Sequence, residues 1–241
     1  MSRMDNTNTK ELPTKPVDET VFTTGHPIII SPTLLPVTFT IGLDSFAITN
    51  TRSLHEDTDF VTVSLAIANH PPVSQTRALG KRNNGNFPLN MDFSKVSIAH
   101  GETAVLTYNM VNSGHQDPNK VETELKTLTE TLAQKGAQIA STAVGTAIGS
   151  ALGAAIGTAV VPIIGTALGS LAGYLVGGAF GLIFADCDGP VASAVHVLTY
   201  DQIKAVVASG KAQTHTDNHP GIDSADGCGS NSHYTVTWSV K

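Results

Sequence analysis

The chain has 241 residues and a net charge of −6, from 20 acidic against 14 basic side chains. That length holds one large domain or two small ones, and the acidic balance argues against a nucleic-acid partner, which requires a basic footprint. The one local basic cluster, Arg77, Lys81 and Arg82, lies in a loop-like run and reads as a solvated turn.

Residues 1–26 are polar, rich in Thr, Asp and Pro, and read as a disordered or loosely attached tail. The tail has no apolar h-region, so no secretory signal is visible. The expectation is a chain that is soluble and cytoplasmic as synthesised, and that reaches a target membrane directly or after release by a non-classical route. From Pro27 the texture changes to short β-type runs. Val37, Phe39 and Ile41 alternate with polar residues, and Ser45–Thr49 follows as a separate short run. Val61, Val63, Leu65 and Ile67 then share one face of a half-buried strand. His70-Pro-Pro ends that strand, residues 77–86 read as a loop, and runs at 87–91, 95–99 and 103–112 complete the first part of a sandwich, 27–116.

At Asp117-Pro118 the period switches to helical. Asp suits the N-cap and Pro the first helical position. Val121, Leu125, Leu128 and Leu132 repeat against Glu122, Glu124, Lys126 and Glu130 as an amphipathic helix. It runs directly into a stretch, Gly136 to Ala185, with no Asp, Glu, Lys, Arg or His. Within that stretch glycine recurs every fourth residue at Gly145, Gly149, Gly153 and Gly157, then at Gly165, Gly169, Gly173, Gly177 and Gly181. Pro162 interrupts the pattern and breaks a helix there, leaving expected arms 137–160 and 163–184. At about 1.5 Å per residue each arm spans roughly 33–36 Å, enough for a hydrocarbon core of about 30 Å.

A glycine groove beside a ridge of Val, Ile, Leu and Phe permits close helix packing. In water each glycine costs about 1 kcal/mol relative to Ala, so the repeat requires compensation from lipid or from a tight helical partner. Hydroxyls after the glycines, at Thr146, Ser150, Thr158, Thr166 and Ser170, could line a wet pore or bond back to their own helix. Residues 144–183 resemble the glycine-zipper segments of membrane-inserting proteins, including pore-forming toxins and channel-forming proteins. The resemblance implies close helix packing, membrane insertion and homo-oligomers, and does not extend to the β-regions.

Beyond Asp186 the β-texture returns: a run at 191–199, a short helical turn around Gln202, a long polar loop at 210–233 and a last strand at 234–240. The resulting fold class is α+β. An antiparallel β-sandwich of immunoglobulin-like texture carries an inserted amphipathic helix and glycine-zipper helical hairpin at 117–186, and 187–241 closes the sandwich. Insertion between strands is tolerated where the ends of the insert lie close together.

Other constellations compete with the repeat. His215, Asp217 and His219 alternate along an extended run and could present ligands to a divalent metal, although their spacing matches no established ligand pattern. The acidic residues Glu56, Asp57, Asp59, Asp186 and Asp188 could hold calcium or form solvated turns. Cys187 and Cys228 permit one disulfide that would pin the exit of the hairpin. The loop histidines His26, His55, His70, His100 and His115 could charge together in acid. No nucleophile elbow, phosphate loop or Cys/His signature is present. The expected protein is therefore a membrane-active, pore-forming non-enzyme of toxin type, without cofactor, whose transmembrane hairpin enters a lipid membrane and oligomerises. The alternative is a soluble structural protein self-assembling through the zipper. A metal-dependent enzyme using the loop 215–233 ranks last.

Overall fold

The computed structural model describes residues 35–53, 57–114, 116–142, 188–221 and 232–241. Among the described residues, eight strands form two antiparallel four-stranded sheets. Sheet A has the order β4 (Gly85–Ile98), β1 (Val37–Asn50), β8 (His233–Val240), β7 (Gln213–Pro220). Sheet B has the order β3 (Val73–Arg82), β2 (Asp57–Ile67), β5 (Thr103–Asn112), β6 (Gly189–Thr199). The expected α+β sandwich is present at this level.

Alternation along the strands builds the core between the sheets. Sheet A contributes Ile41, Leu43, Met91, Val236 and Trp238, and sheet B contributes Val61, Val63, Leu65, Leu106 and Tyr108. The face of β2 that alternation picks out is thus the core face. In β1 the inward set changes phase, from Phe39, Ile41 and Leu43 to Phe46 and Ile48. Against β4 the register shifts between Phe39 and Ile41 and between Leu43 and Ser45, with the extra residue on β4 each time. Against β8 the extra residue between Leu43 and Ser45 lies on β1, and it is what turns the phase over. The two runs read separately at 37–41 and 45–49 are therefore one bulged strand. Gly42 lies beside the first bulge, where any side chain would collide with the Met91–Asp92 backbone of β4.

The stretch 77–86, expected as a loop, is instead the end of β3, a tight turn and the start of β4. Arg77, Lys81 and Arg82 lie on β3, an edge strand that solvates much of its length, so a polar sequence is compatible with pairing there. The stretch 210–233, expected as a polar loop, contains β7. Its alternation is carried by His215, Asp217 and His219 rather than by apolar residues, so it does not register as hydrophobic periodicity.

Helix α1 (Pro118–Thr142) starts as the sequence indicates: Asp117 Oδ1 accepts from the backbone N–H of Asn119 (2.9 Å) and Lys120 (3.1 Å). Val121, Leu125, Leu128, Leu132 and Ile139 pack on the outer face of sheet B against Phe60, Ala68, Val105, Val111 and Val197. Strands β2 and β5 are consequently buried on both faces along nearly all their length. Gly136 sits where helix and sheet come closest, since a Cβ there would stand 3.3 Å from the Ala66 Cβ. A second helix, α2 (Tyr200–Ser209), crosses from β6 in one sheet to β7 in the other. Thr199 and Gln202 form its capping box and Gly210, at φ 64°, its left-handed C-cap.

Candidate functional site

Strands β5 and β6 are antiparallel neighbours, with Asn112 opposite Gly189. Residues 113–188 therefore leave and re-enter the sandwich one strand spacing apart, as a greatly enlarged hairpin connection. This is the geometry that tolerates an insert, and its two ends are tied together. The buried Asp188 carboxylate, on the return side, accepts from Ser113 Oγ (2.9 Å) and from the Gly114 N–H (2.8 Å) on the exit side. The Ser113 N–H donates to the Thr58 carbonyl (2.9 Å) and the Thr58 N–H to Asn112 Oδ1 (2.8 Å). Asn112 Nδ2 then donates to Ser53 Oγ (2.9 Å), so the exit point is stitched to the β1–β2 connection.

Beside this root lie two carboxylates, Asp57 and Asp59, both 0% exposed. Asp57 accepts from the backbone N–H of Arg52 (2.6 Å) and Ser53 (2.7 Å) and from the Tyr234 hydroxyl (2.5 Å). That hydroxyl also lies 3.1 Å from Asp59 Oδ1. A phenol carries one hydrogen. With that hydrogen given to Asp57, the contact to Asp59 is satisfied by a proton on Asp59 itself. Burial raises the Asp59 pKa well above its ordinary value and the Asp57 charge raises it further, against smaller opposing effects of Tyr234 and Arg82. Burial and the two carboxylates likewise push the Tyr234 hydroxyl far up, so it stays protonated. With one phenolic hydrogen to share, these directions favour a proton on Asp59 and donation from Tyr234 to Asp57.

A second polar cluster closes the sandwich at the β6–β7 edge. His215, Asp217 and His219 share the inward face of β7, as their alternate spacing indicates. Asp217 Oδ2 lies 2.8 Å from His196 Nε2 on β6 and 2.7 Å from the Tyr108 hydroxyl on β5. Tyr108 is also 2.7 Å from His219 Nε2. An ionised carboxylate only accepts, so Tyr108 donates to Asp217 and His219 Nε2–H donates to Tyr108. Trp238 is sandwiched between His196 and His215, with ring centroids 4.3 Å and 4.2 Å away.

Burial pushes the Asp217 pKa up, but the hydrogen bond and charge of His196, with smaller help from Tyr108 and His219, bring it below the ordinary value. His219 is lowered, first by burial and then by His196 and His233, against the pull of Asp217. His215 is lowered by burial and by His196, again against Asp217. Burial and then Asp217 push the Tyr108 hydroxyl far up.

The proposed ligand set His215, Asp217 and His219 is thus engaged otherwise: the carboxylate turns to His196 and Tyr108, and His215 stacks on indole. Among the described residues, no group of three or more His, Cys, Asp or Glu is placed to hold a metal ion. Of the acidic residues considered for calcium, Asp57, Asp59 and Asp188 are inward hydrogen-bonded groups of the root, while Glu56 and Asp186 lie outside the described residues. His70 and His100 lie apart from the β6–β7 cluster, and His26, His55 and His115 lie outside the described residues. The repeat glycines Gly145 to Gly181, Pro162, the hydroxyls Thr146 to Ser170, Cys187 and Cys228 also fall outside them, as does the tail 1–26. Among the described residues no helix is long and apolar enough to cross a membrane. Sequence reasoning passed over Tyr108, His196, Trp238 and Tyr234, which alternation marks only as core positions. Neither a family model, nor a curated protein, nor a solved structure matches the chain.

Proposed function

We propose that the protein is membrane-active and pore-forming: a β-sandwich holds the uncharged glycine-repeat stretch and delivers it as a helical hairpin to a target bilayer, where copies associate through the zipper. The observation that carries this reading is the placement of the stretch. The insert that carries it, 113–188, is spliced between two paired neighbours of one sheet, with its ends tied together through Ser113, Gly114 and Asp188. A fixed root lets the rest of the insert change surroundings while the sandwich stays folded. The sandwich then serves target contact or oligomerisation, and no chemical step is assigned to it. Dye-loaded vesicles of zwitterionic and of anionic phospholipid test the reading. The protein is expected to float with them and release dye, and Gly153→Leu with Gly173→Leu is expected to cut release about tenfold or more by blocking close packing. Absence of both binding and release across lipid compositions and pH 5–8 overturns it.

A second reading is favoured by one specific observation. Gly136, Ile139 and Ala140, the first residues of the uncharged stretch, are buried on the chain's own sheet B. A stretch that begins on protein can continue on protein, as a zipper for self-assembly without lipid. Sedimentation of lipid-free protein separates the two: stable oligomers without vesicle binding support self-assembly.

A further inference from the structure

The β6–β7 edge holds a cluster to which the proposed insertion assigns no role. Strand β7 is an edge strand of sheet A and β6 an edge strand of sheet B, so their side chains close the open end of the sandwich. The closure is polar. One carboxylate, Asp217, faces His196 from β6, Tyr108 from β5 and His219 from its own strand, and His233 on β8 acts on the same site. His215 faces His196 across Trp238, and Lys211 lines the groove of about 450 Å³ onto which His215 opens. Trp238 Nε1 is buried and finds no hydrogen-bond partner among the described residues, so hydrating it on opening removes the penalty of a buried, unpaired donor.

We propose that His196, His215, Asp217, His219 and Tyr108 form an acid-sensitive clasp between the two sheets, and that acidification releases β7 and with it the edge bearing β6, the return strand of the insert. Charge counting drives the release. With the imidazoles neutral, every donor in the chain His219–Tyr108–Asp217–His196 has an acceptor. A single carboxylate offsets a single imidazolium. The Asp217 charge balances the first imidazolium, while each further proton adds a cation facing other cations in a partly buried site. The sign follows the histidines held below their ordinary values, His215 and His219. Their contribution to the closed state is fully present above about pH 6.5 and is lost as pH falls through their lowered values. The clasp is a property of the sandwich alone; its use in releasing the insert rests on the membrane reading.

Trp238 is the sole tryptophan of the chain and lies inside the clasp, so it reports on it directly. The full chain without lipid is titrated from pH 8 to 5 with Trp238 fluorescence, and amide exchange of β7 is measured at each end of that range relative to the unfolded-chain rate at the same pH. A fluorescence transition below about pH 6.5 is expected, with β7 exchange at least about tenfold faster at pH 5, the effect of one unit of linkage on one group. The double substitution His215→Gln and His219→Gln is expected to remove most of both changes. A wild-type chain whose fluorescence and β7 protection are flat over this range overturns the clasp, as does a double variant that retains the full response. Because the wild-type arm decides by itself, a poorly folding variant leaves the test intact. Vesicle leakage across the same series separates the two proposals. Opening without leakage retains the clasp and counts against insertion, whereas leakage with an unchanged β7 retains insertion and removes the clasp.

Discussion

Asp59→Asn tests the proton placed on Asp59 at the root of the insert. Tyr234 gives its one hydrogen to Asp57 at 2.5 Å, and Asp59 meets the same oxygen at 3.1 Å as the protonated partner. Asparagine reproduces that donor without a titration. Asp59 has a folded pKa above its unfolded value of 3.8, so its favourable contribution is complete below that value and is lost as pH rises towards the folded one. The variant should therefore gain stability relative to wild type by about 1.4 kcal/mol per pH unit across that interval, and then hold a constant advantage. Asp57→Asn should instead destabilise the fold. It places an amide against three donors, Arg52 N, Ser53 N and Tyr234 Oη, each worth about 1.5–3 kcal/mol to a charged acceptor. Urea unfolding followed by far-ultraviolet circular dichroism at pH 5, 6, 7 and 8 measures both differences, with the histidine contributions common to all chains. If Asp59→Asn is as damaging as Asp57→Asn, and by the same amount at every pH, then Asp59 is an ion paired with Arg82 and the reasoning fails.

Two other substitutions probe how the insert is held. Leu125 is fully buried between α1 and sheet B, so Leu125→Ala should cost about 2–5 kcal/mol in chemical denaturation; a loss below about 1 kcal/mol would refute tight docking of the helix. Asp188→Ala strands the donors Ser113 Oγ and Gly114 N, at about 1–3 kcal/mol each. The effect should appear as faster amide exchange at Asn112 and Gly189, and unaltered protection there would show that the carboxylate does not close the root.

What the sequence disclosed followed from where its signals are local. The period of α1 and its Asp117-Pro118 start are short-range, and both stand in the structure. The inward face of β2 is legible because Val61 to Ile67 alternate without interruption. Strand β1 reads as two strands because a bulge against β8 reverses its phase, and two phases look like two elements. Strand β7 was missed because its inward residues are His, Asp and His, an alternation that apolar scoring does not weigh. The root and the clasp were illegible for a different reason. Tyr108 with Asp217 and Tyr234 with Asp57 are separated by 109 and 177 positions, so only the folded topology brings them together. Of the site proposed from sequence, the His/Asp/His face is real as a face, and its chemistry is decided by partners on other strands.

The extent of α1 sharpens what insertion has to do. The uncharged stretch begins at Gly136, but α1 continues to Thr142 with Gly136, Ile139 and Ala140 against sheet B. With α1 fully docked, the first expected arm begins at residue 143, and 143–160 reaches about 27 Å as a helix, short of a hydrocarbon core of about 30 Å. The second expected arm, 163–184, would reach about 33 Å as a helix without such help. Full-depth insertion of the first arm therefore draws the last two turns of α1 off the sheet. The burial lost is mainly that of Ile139, about 1.5–3 kcal/mol, and an apolar bilayer restores it. Lys135 sets the natural limit, because moving a lysine towards the bilayer centre costs about 2.5–3.5 kcal/mol. Upstream of it, Val121, Leu125, Leu128 and Leu132 stay on sheet B. On this reading α1 is divided at Lys135 into a part that anchors and a part that exchanges sheet for lipid, and the cost of that exchange is small enough for a modest trigger at the adjoining edge to decide it.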